Sequence, residues 1–392
     1  MKLFNTGILI PASIVLASAL MHTAVKTQES SGPQEQQKIK SIRSKPRIQA
    51  AILLDVSGSM EGLINQAKLQ LWNMVSVMGR GKCDGMAPEI EIALYEYGRQ
   101  SGDEANGYIK QLSPFTQNLD SLSSILFDLT TYGGLEYCGQ VIYTSLNNLN
   151  WDNGNSTYKV IFIAGNEDFL QGNIQYTKAC ALAKEKSVIV NTIYCGSREN
   201  GIREHWNLNG ECGTGSFTNI NQNAELEDIP TPYDDVLIAK NTELNNTYIG
   251  FGASGEQANT RLHEVDIKTY SINKSSAVTR IKVKASPGIY NNASWDLVDA
   301  AKNDKDFISK TDRELLTDSL KTKSTEELNA IVKEKSEKRT ALQAEILNLS
   351  AKRDAYLAQK RKEDTGAKNQ TLQSEIEKMI ISQANRFGII IH

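Results

Sequence analysis

Histidine is scarce in this chain of 392 residues: there are four, His22, His205, His263 and His392. None has a His or Cys partner at metal-ligand spacing, and none sits in a motif with a nucleophile. Zinc chemistry and Ser–His or Cys–His hydrolysis therefore lack their residues. A Gly-rich loop ending in Lys-Ser or Lys-Thr, the cradle for a nucleotide phosphate, is also missing. So is a basic excess: 43 Lys and Arg face 46 Asp and Glu, a net charge of −3. That argues against nucleic acid as a general partner, because such partners need a positive field. Long apolar runs are absent too. Gly7 to Leu20 comes nearest, but it is short of the ~20 residues of a spanning helix and Pro11 interrupts it. The five cysteines, Cys83, Cys138, Cys180, Cys195 and Cys212, lack the close-paired spacing of a zinc site. Their odd number leaves at least one unpaired or paired outside the chain. No internal repeat recurs at a fixed period.

What is present starts with an export pattern. Lys2, the apolar stretch to Leu20 and the small-x-small Ala17-Ser18-Ala19 predict a cleaved secretory signal over 1–24, with no membrane span left after cleavage. The destination is the periplasm, the cell surface or the medium. Export permits disulfides, and Cys195 with Cys212, which flank one loop, are the first expected pair. Residues 25–45 are polar and aperiodic, which predicts a flexible tether.

The apolar run Ala50-Ala51-Ile52-Leu53-Leu54 then ends abruptly in Asp55-Val56-Ser57-Gly58-Ser59. Such a run suits a strand buried on both faces of a parallel sheet, and ligands of open α/β sheets bind just beyond the carboxyl ends of such strands. One carboxylate and two hydroxyls there make an oxygen-only set that suits Mg²⁺, Ca²⁺ or Mn²⁺. The same residue types also suit a strand-to-helix turn with a capped helix, and residue type alone leaves both readings open.

Helical spacing follows at Leu63, Ile64, Ala67, Leu71, Met74, Val75 and Met78. Further strands are predicted at Glu89–Tyr97, Tyr108–Leu112, Val160–Ala164, Val188–Tyr194 and Phe217–Ile220. Helical patterns lie between them, at Leu119–Leu129, from Gly139 toward Trp151, and around Ala179–Ala183. Strands and helices alternating at this rhythm predict a doubly wound, mostly parallel sheet with a hairpin at one edge. From Pro232 the pattern is helical, with a long stretch from Glu256 to about Lys284. Ser324 and Glu327 form a capping box. The charged, coiled-coil-like helix that follows puts Lys335 and Lys338 or Arg339 on its own seam. An antiparallel hairpin is expected over 321–392, its second arm carrying Leu372, Ile376, Met379, Ile380 and Ala384.

Asp55-x-Ser57-x-Ser59 resembles the metal-ion-dependent adhesion site of von Willebrand factor type A domains. The resemblance covers 46–223 and leaves 224–320 and 321–392 as helical regions. It implies a divalent cation held by Asp55, Ser57 and Ser59, with an open position that takes a carboxylate from a protein partner. Tyr95-Glu96-Tyr97-Gly98, Gly133-Gly134-Leu135-Glu136-Tyr137-Cys138-Gly139, Ala164-Gly165-Asn166-Glu167 and Asn191-Thr192-Ile193-Tyr194-Cys195-Gly196 are similar to a bacterial exported branch in which a charged helical tail follows the A domain. The second family loop reads Thr130–Gly139 here, without the usual Gly-Gly-Thr. Some members place a Glu there, which makes Glu136 the candidate ligand; it also suits the first turn of the next helix. In the third loop Gly165 stands where the family has Asp. Asn166, Glu167 and Asp168 are the alternatives, and Asp168 completes the expected set of Asp55, Ser57, Ser59 and Glu136. Three functions follow. The first is an exported, metal-dependent binding module that grips an acidic group of a protein partner. The second is a metal-independent scaffold acting through its helices. The third, a hydrolase using metal-bound water, has only Glu167 to offer as base, so no enzymatic activity is expected.

Overall fold

The computed structural model describes residues 45–101, 104–154, 156–212, 215–224, 228–363 and 372–391. The expected signal and all but the last residue of the expected tether lie outside the described residues. The apolar run becomes β1 (Arg47–Asp55), and α1 (Glu61–Gly79) follows its turn. Then come β2 (Glu89–Tyr97), β3 (Lys110–Thr116), α2 (Leu119–Asp128) and α3 (Cys138–Asn148). The sheet half closes with β4 (Tyr158–Gly165), α4 (Tyr176–Glu185), β5 (Ile189–Cys195), α5 (Arg198–Arg203) and β6 (Phe217–Ile220). The strands form one sheet in the order β3-β2-β1-β4-β5-β6. All neighbours are parallel except β2 and β3, which are antiparallel. This is the doubly wound architecture that the alternating pattern predicts and that the resemblance to von Willebrand A domains implies. The strand order reverses direction between β1 and β4, so the ends of these two strands open the crevice where such sheets take ligands.

Period-two alternation sorts the core. Ile48, Ala50, Ile52 and Leu54 face one layer together with α1 and α2, while Ala51 and Leu53 face α3 and α4 on the other. The same rule corrects the expected disulfide. Cys195 packs into the first layer, whereas Cys180 and Cys212 both lie in the second. The bridge is Cys180–Cys212, because the sheet stands between Cys212 and Cys195.

The helical half comprises α6 (Asp234–Asn245), α7 (Gly255–Ile272), α8 (Lys274–Lys284), α9 (Leu297–Asn303), α10 (Phe307–Lys310), α11 (Asp318–Lys321), α12 (Thr325–Glu363) and α13 (Leu372–Ala384). The single stretch expected from Glu256 to Lys284 is two helices. Asn273 takes an extended φ of −157° and its side chain accepts from Ser276 N at 2.7 Å, so it caps α8. The capping box is reciprocal: Ser324 N donates to Glu327 Oε2 at 2.8 Å and Glu327 N to Ser324 Oγ at 3.1 Å.

Two charged residues of α12, Arg339 on the expected seam and Arg353 beyond it, are buried. Arg339 donates to Asp296 at 2.6 Å and Asp299 at 2.7 Å, and Arg353 donates to Asp234 at 2.7 Å. Meanwhile α13 lies against α1, and its Leu372, Ile376, Met379 and Ile380 join the core that holds β1 and α1. Polar ties fix its seat on the sheet. Gln383 accepts from Tyr158 Oη at 2.9 Å and donates to Asn191 Oδ1 at 2.7 Å, and Thr218 donates to Glu375 at 2.9 Å. The described residues thus pack as one compact unit, and the helices expected as an appendage complete the layer behind the sheet. Among the described residues no helix is long and apolar enough to cross a membrane.

Candidate metal site

The carboxyl ends of β1, β2 and β4 converge with the loop that precedes α3. Asp55, the last residue of β1, is completely buried, and its Oδ1 accepts from Ser57 N at 2.7 Å. Backbone ties hold the loops together: Val56 N donates to Tyr97 O at 2.9 Å, Tyr132 N to Val56 O at 2.7 Å and Gln100 N to Gly133 O at 2.9 Å. These place Glu136, also buried, face to face with Asp55. The Ser57 hydroxyl stands beside both carboxyl groups. It lies 3.3 Å from Ser59 Oγ, which in turn donates to Asn166 Oδ1 at 3.3 Å. Ser59 is exposed, so the cluster opens to solvent on that side.

Glycine is required where β2 leaves the cluster. Gly98 has φ +81°, and a Cβ on it would stand 2.9 Å from Asp55 Oδ1 and 3.0 Å from Glu136 Cγ.

Two buried carboxyl groups that touch do not both ionise in the absence of a cation. Burial pushes the Asp55 carboxyl up to about 6. Burial, and then the Asp55 charge, push Glu136 higher still. Asp55 Oδ2 and Glu136 Oε2 are buried with no hydrogen-bond partner. Unpartnered buried carboxylate oxygens are costly, and a cation between them removes that cost. The surrounding atoms are all oxygen (two carboxylates, two hydroxyls and one amide carbonyl), which fits a hard divalent ion. Among the described residues no group of three or more His, Cys, Asp or Glu is placed to hold a metal.

Four of the five residues expected from sequence, Asp55, Ser57, Ser59 and Glu136, come together here. The fifth is turned to another task. Asp168 Oδ1 accepts from Leu170 N at 2.9 Å and pairs with His205 Nδ1 at 2.9 Å, so the third loop brings Asn166 to the cluster instead. The loop is clamped from outside, with Trp206 Nε1 donating to Glu167 O at 2.7 Å and Phe169 N to Glu204 O at 2.9 Å. Gly165 lacks a side chain for a steric reason. A Cβ there would meet Tyr97 Oη at 2.6 Å and Asp55 Oδ2 at 3.0 Å. Tyr97 fills the place, donating to Ala164 O at 2.9 Å.

Sequence reading missed both Tyr97 and the thiol beside it, Cys138, whose Sγ is 3.8 Å from Tyr97 Oη. The signal was available: Tyr97 ends β2 opposite Asp55 in register, on the same face of the sheet. Arg99 was missed as well. It forks onto Glu96 at 2.8 and 2.9 Å and reaches Thr130 O at 3.0 Å, binding the second loop to β2.

No family model matches the sequence, and no curated protein matches it. Solved structures do resemble it. The VWA domain of SpRpn10 is 15% identical, over 44% of this chain and 88% of that chain, with a TM-score of 0.32. A von Willebrand factor type A protein from Catenulispora acidiphila is 12% identical, over 45% of this chain and 39% of that one, with a TM-score of 0.34. Proximal thread matrix protein 1 from the mussel byssus is 12% identical, over 45% of this chain, with a TM-score of 0.31; this chain spans 42% of its length. Likeness at this level says nothing of ligand or partner.

Proposed function

We propose that this protein is an exported binding module that grips an acidic group of a protein partner through a divalent cation. Asp55, Ser57, Ser59 and Glu136 would hold the ion, with Asn166 beside Ser59. The ion would supply a positive centre with an open position for the partner's carboxylate. One observation carries the reading: two buried carboxyl groups face each other with an unpartnered oxygen on each. The exposed side chains of Tyr132, Leu135 and Leu170 belong to the second and third loops and offer apolar contact for residues flanking the bound acid. The Cys180–Cys212 bridge supports export, since such bonds persist in oxidising compartments.

Catalysis is not part of the proposal. Burial holds the Cys138 thiol well above its usual range, so it stays protonated, and His205 is paired with Asp168.

Calorimetric titration with Mg²⁺, Ca²⁺ and Mn²⁺ tests the ion, and capture of envelope proteins with and without chelator tests the partner. Saturable cation binding that is lost in Asp55→Ala, with capture that chelator abolishes, is the expected result. No cation binding, or binding unchanged in Asp55→Ala, ends the proposal. It would leave the scaffold reading, which Gly165 favours by standing where the family has a carboxylate. In that case Asp55→Ala is silent and truncation at Ser324 is not.

A further inference from the structure

The helical layer behind the sheet holds a buried polar knot that the cation cluster does not use. Lys284, the last residue of α8, is fully buried. Its Nζ donates to Asp266 Oδ2 of α7 at 2.8 Å. It also donates to two carboxamide oxygens of α6, Asn245 Oδ1 at 2.5 Å and Asn241 Oδ1 at 2.8 Å. Both carboxamides turn their nitrogens onto the same carboxylate oxygen: Asn245 Nδ2 donates to Asp266 Oδ2 at 2.7 Å and Asn241 Nδ2 at 2.8 Å. One oxygen therefore touches an amine with a proton to give and an amide nitrogen placed to receive it, the geometry of a proton relay.

The amine is prepared as a nucleophile. Burial, opposed by the Asp266 charge and aided by that of Arg280, brings the Lys284 ammonium down from its ordinary 10.5 to about 8. Part of it is neutral near that pH, and a desolvated lysine beside a second cation is an activated one. Arg280 Nε holds Asp266 Oδ1 from the other side at 2.5 Å, which fixes the carboxylate. The Asn245 carbonyl carbon is about 1.2 Å from its oxygen and hence no more than about 3.7 Å from Nζ, near an attack separation.

We propose that Lys284 and Asn245 join in an intramolecular amide, a covalent bridge from α8 to α6. Asp266 takes a proton from the Lys284 ammonium, and Nζ attacks Cγ of Asn245. The bond from Cγ to Nδ2 breaks as the new C–N bond is completed. A second Nζ proton and the one held by Asp266 pass to the leaving nitrogen, which departs as ammonium, and Asp266 is a carboxylate again. Burial raises the Asp266 carboxyl while Arg280 and Lys284 lower it. Loss of the Lys284 charge thus makes Asp266 a better acceptor as the proton moves. A cavity of about 250 Å³ bordered by Asn241, Asn245 and Asp266 receives the ammonium, and burial keeps water from reversing the bond. The Cys180–Cys212 bridge fastens the opposite face of the sheet; this one fastens the layer of α6 and α8 and does not depend on the cation.

Tryptic mapping of the full chain, denatured and reduced, reads the bond directly. Trypsin should spare Lys284 and release residues 241–261 joined to 283–302, lighter than their sum by one ammonia, about 17 Da. Fragmentation should place the link between Asn245 and Lys284. Asp266→Asn keeps the shape but cannot relay the proton. In freshly purified variant that retains the Cys180–Cys212 bridge and a cooperative melt, the joined fraction should fall about tenfold or more. If that variant does not fold, the wild type alone decides. Cleavage after Lys284 with both wild-type peptides at their sequence masses, a link at another residue, or a wild-type joined fraction in folded Asp266→Asn overturns the proposal.

Discussion

Replacing Glu136 with Gln keeps the shape of the cluster and removes one of its two titrating groups. In the metal-free protein the Glu136 carboxyl is pushed from its ordinary 4.5 up to about 10, by burial first and by Asp55 second. A carboxyl raised in the folded state holds a proton that the unfolded chain has already released. Metal-free stability therefore falls as pH rises from about 4.5 toward the folded value. One proton corresponds to about 1.4 kcal/mol per pH unit, so the ceiling between pH 5 and pH 8 is about 4 kcal/mol. Because the two carboxyls share the load, about 2 kcal/mol is the working figure. The variant lacks this slope, so in chelator at pH 8 it should be the more stable protein by roughly 2 kcal/mol. Cation reverses the order. At a hundredfold excess over its dissociation constant it stabilises wild type by about 2.7 kcal/mol, and should stabilise the variant by less than about 1 kcal/mol. Guanidinium denaturation followed by tryptophan fluorescence reads all four conditions, since Trp72, Trp151, Trp206 and Trp295 are all buried. Equal pH slopes in chelator together with equal gains from cation would refute the reasoning.

Gly165→Ala sets a methyl 2.6 Å from Tyr97 Oη; it should cost about 1–3 kcal/mol, and Tyr97→Phe in the same chain should recover part of that in denaturant melts. Cys180→Ser opens a bridge across a sequence separation of 32, with an expected loss of about 3–4 kcal/mol; peptide mapping without reductant should join Cys180 to Cys212 and leave Cys195 free. Arg339→Ala strands Asp296 and Asp299, which the guanidinium now holds at 2.6 and 2.7 Å; denaturation should report a loss of about 3–5 kcal/mol.

The sheet was legible because its central strands are buried on both faces and most are separated by helices with clear apolar stripes. The first site loop was legible for the same reason: Asp55-x-Ser57-x-Ser59 follows directly on the run that forms β1. Glu136 could be placed because a Gly-Gly turn marks its loop. The third loop resisted reading because Asn166, Glu167 and Asp168 offer oxygens in succession. What separates them is the Tyr97 ring, the His205 contact and the Trp206 clamp, all distant in sequence. The disulfide failed on a matter of faces, since chain proximity says nothing about which side of the sheet a thiol takes. The role of the C-terminal helices was hidden by charge. Arg339 reads as one more charge on the seam, and nothing in the sequence singles out Arg353, until the fold brings carboxylate partners from other elements to them.

Anomalous diffraction at the manganese edge, from crystals grown with Mn²⁺, tests the central claim most directly. The account predicts a peak within coordination distance of the Asp55 and Glu136 carboxyl groups and the Ser57 and Ser59 hydroxyls, and away from Asp168. A well-ordered cluster with no peak there, its two carboxyl groups still face to face, would contradict it.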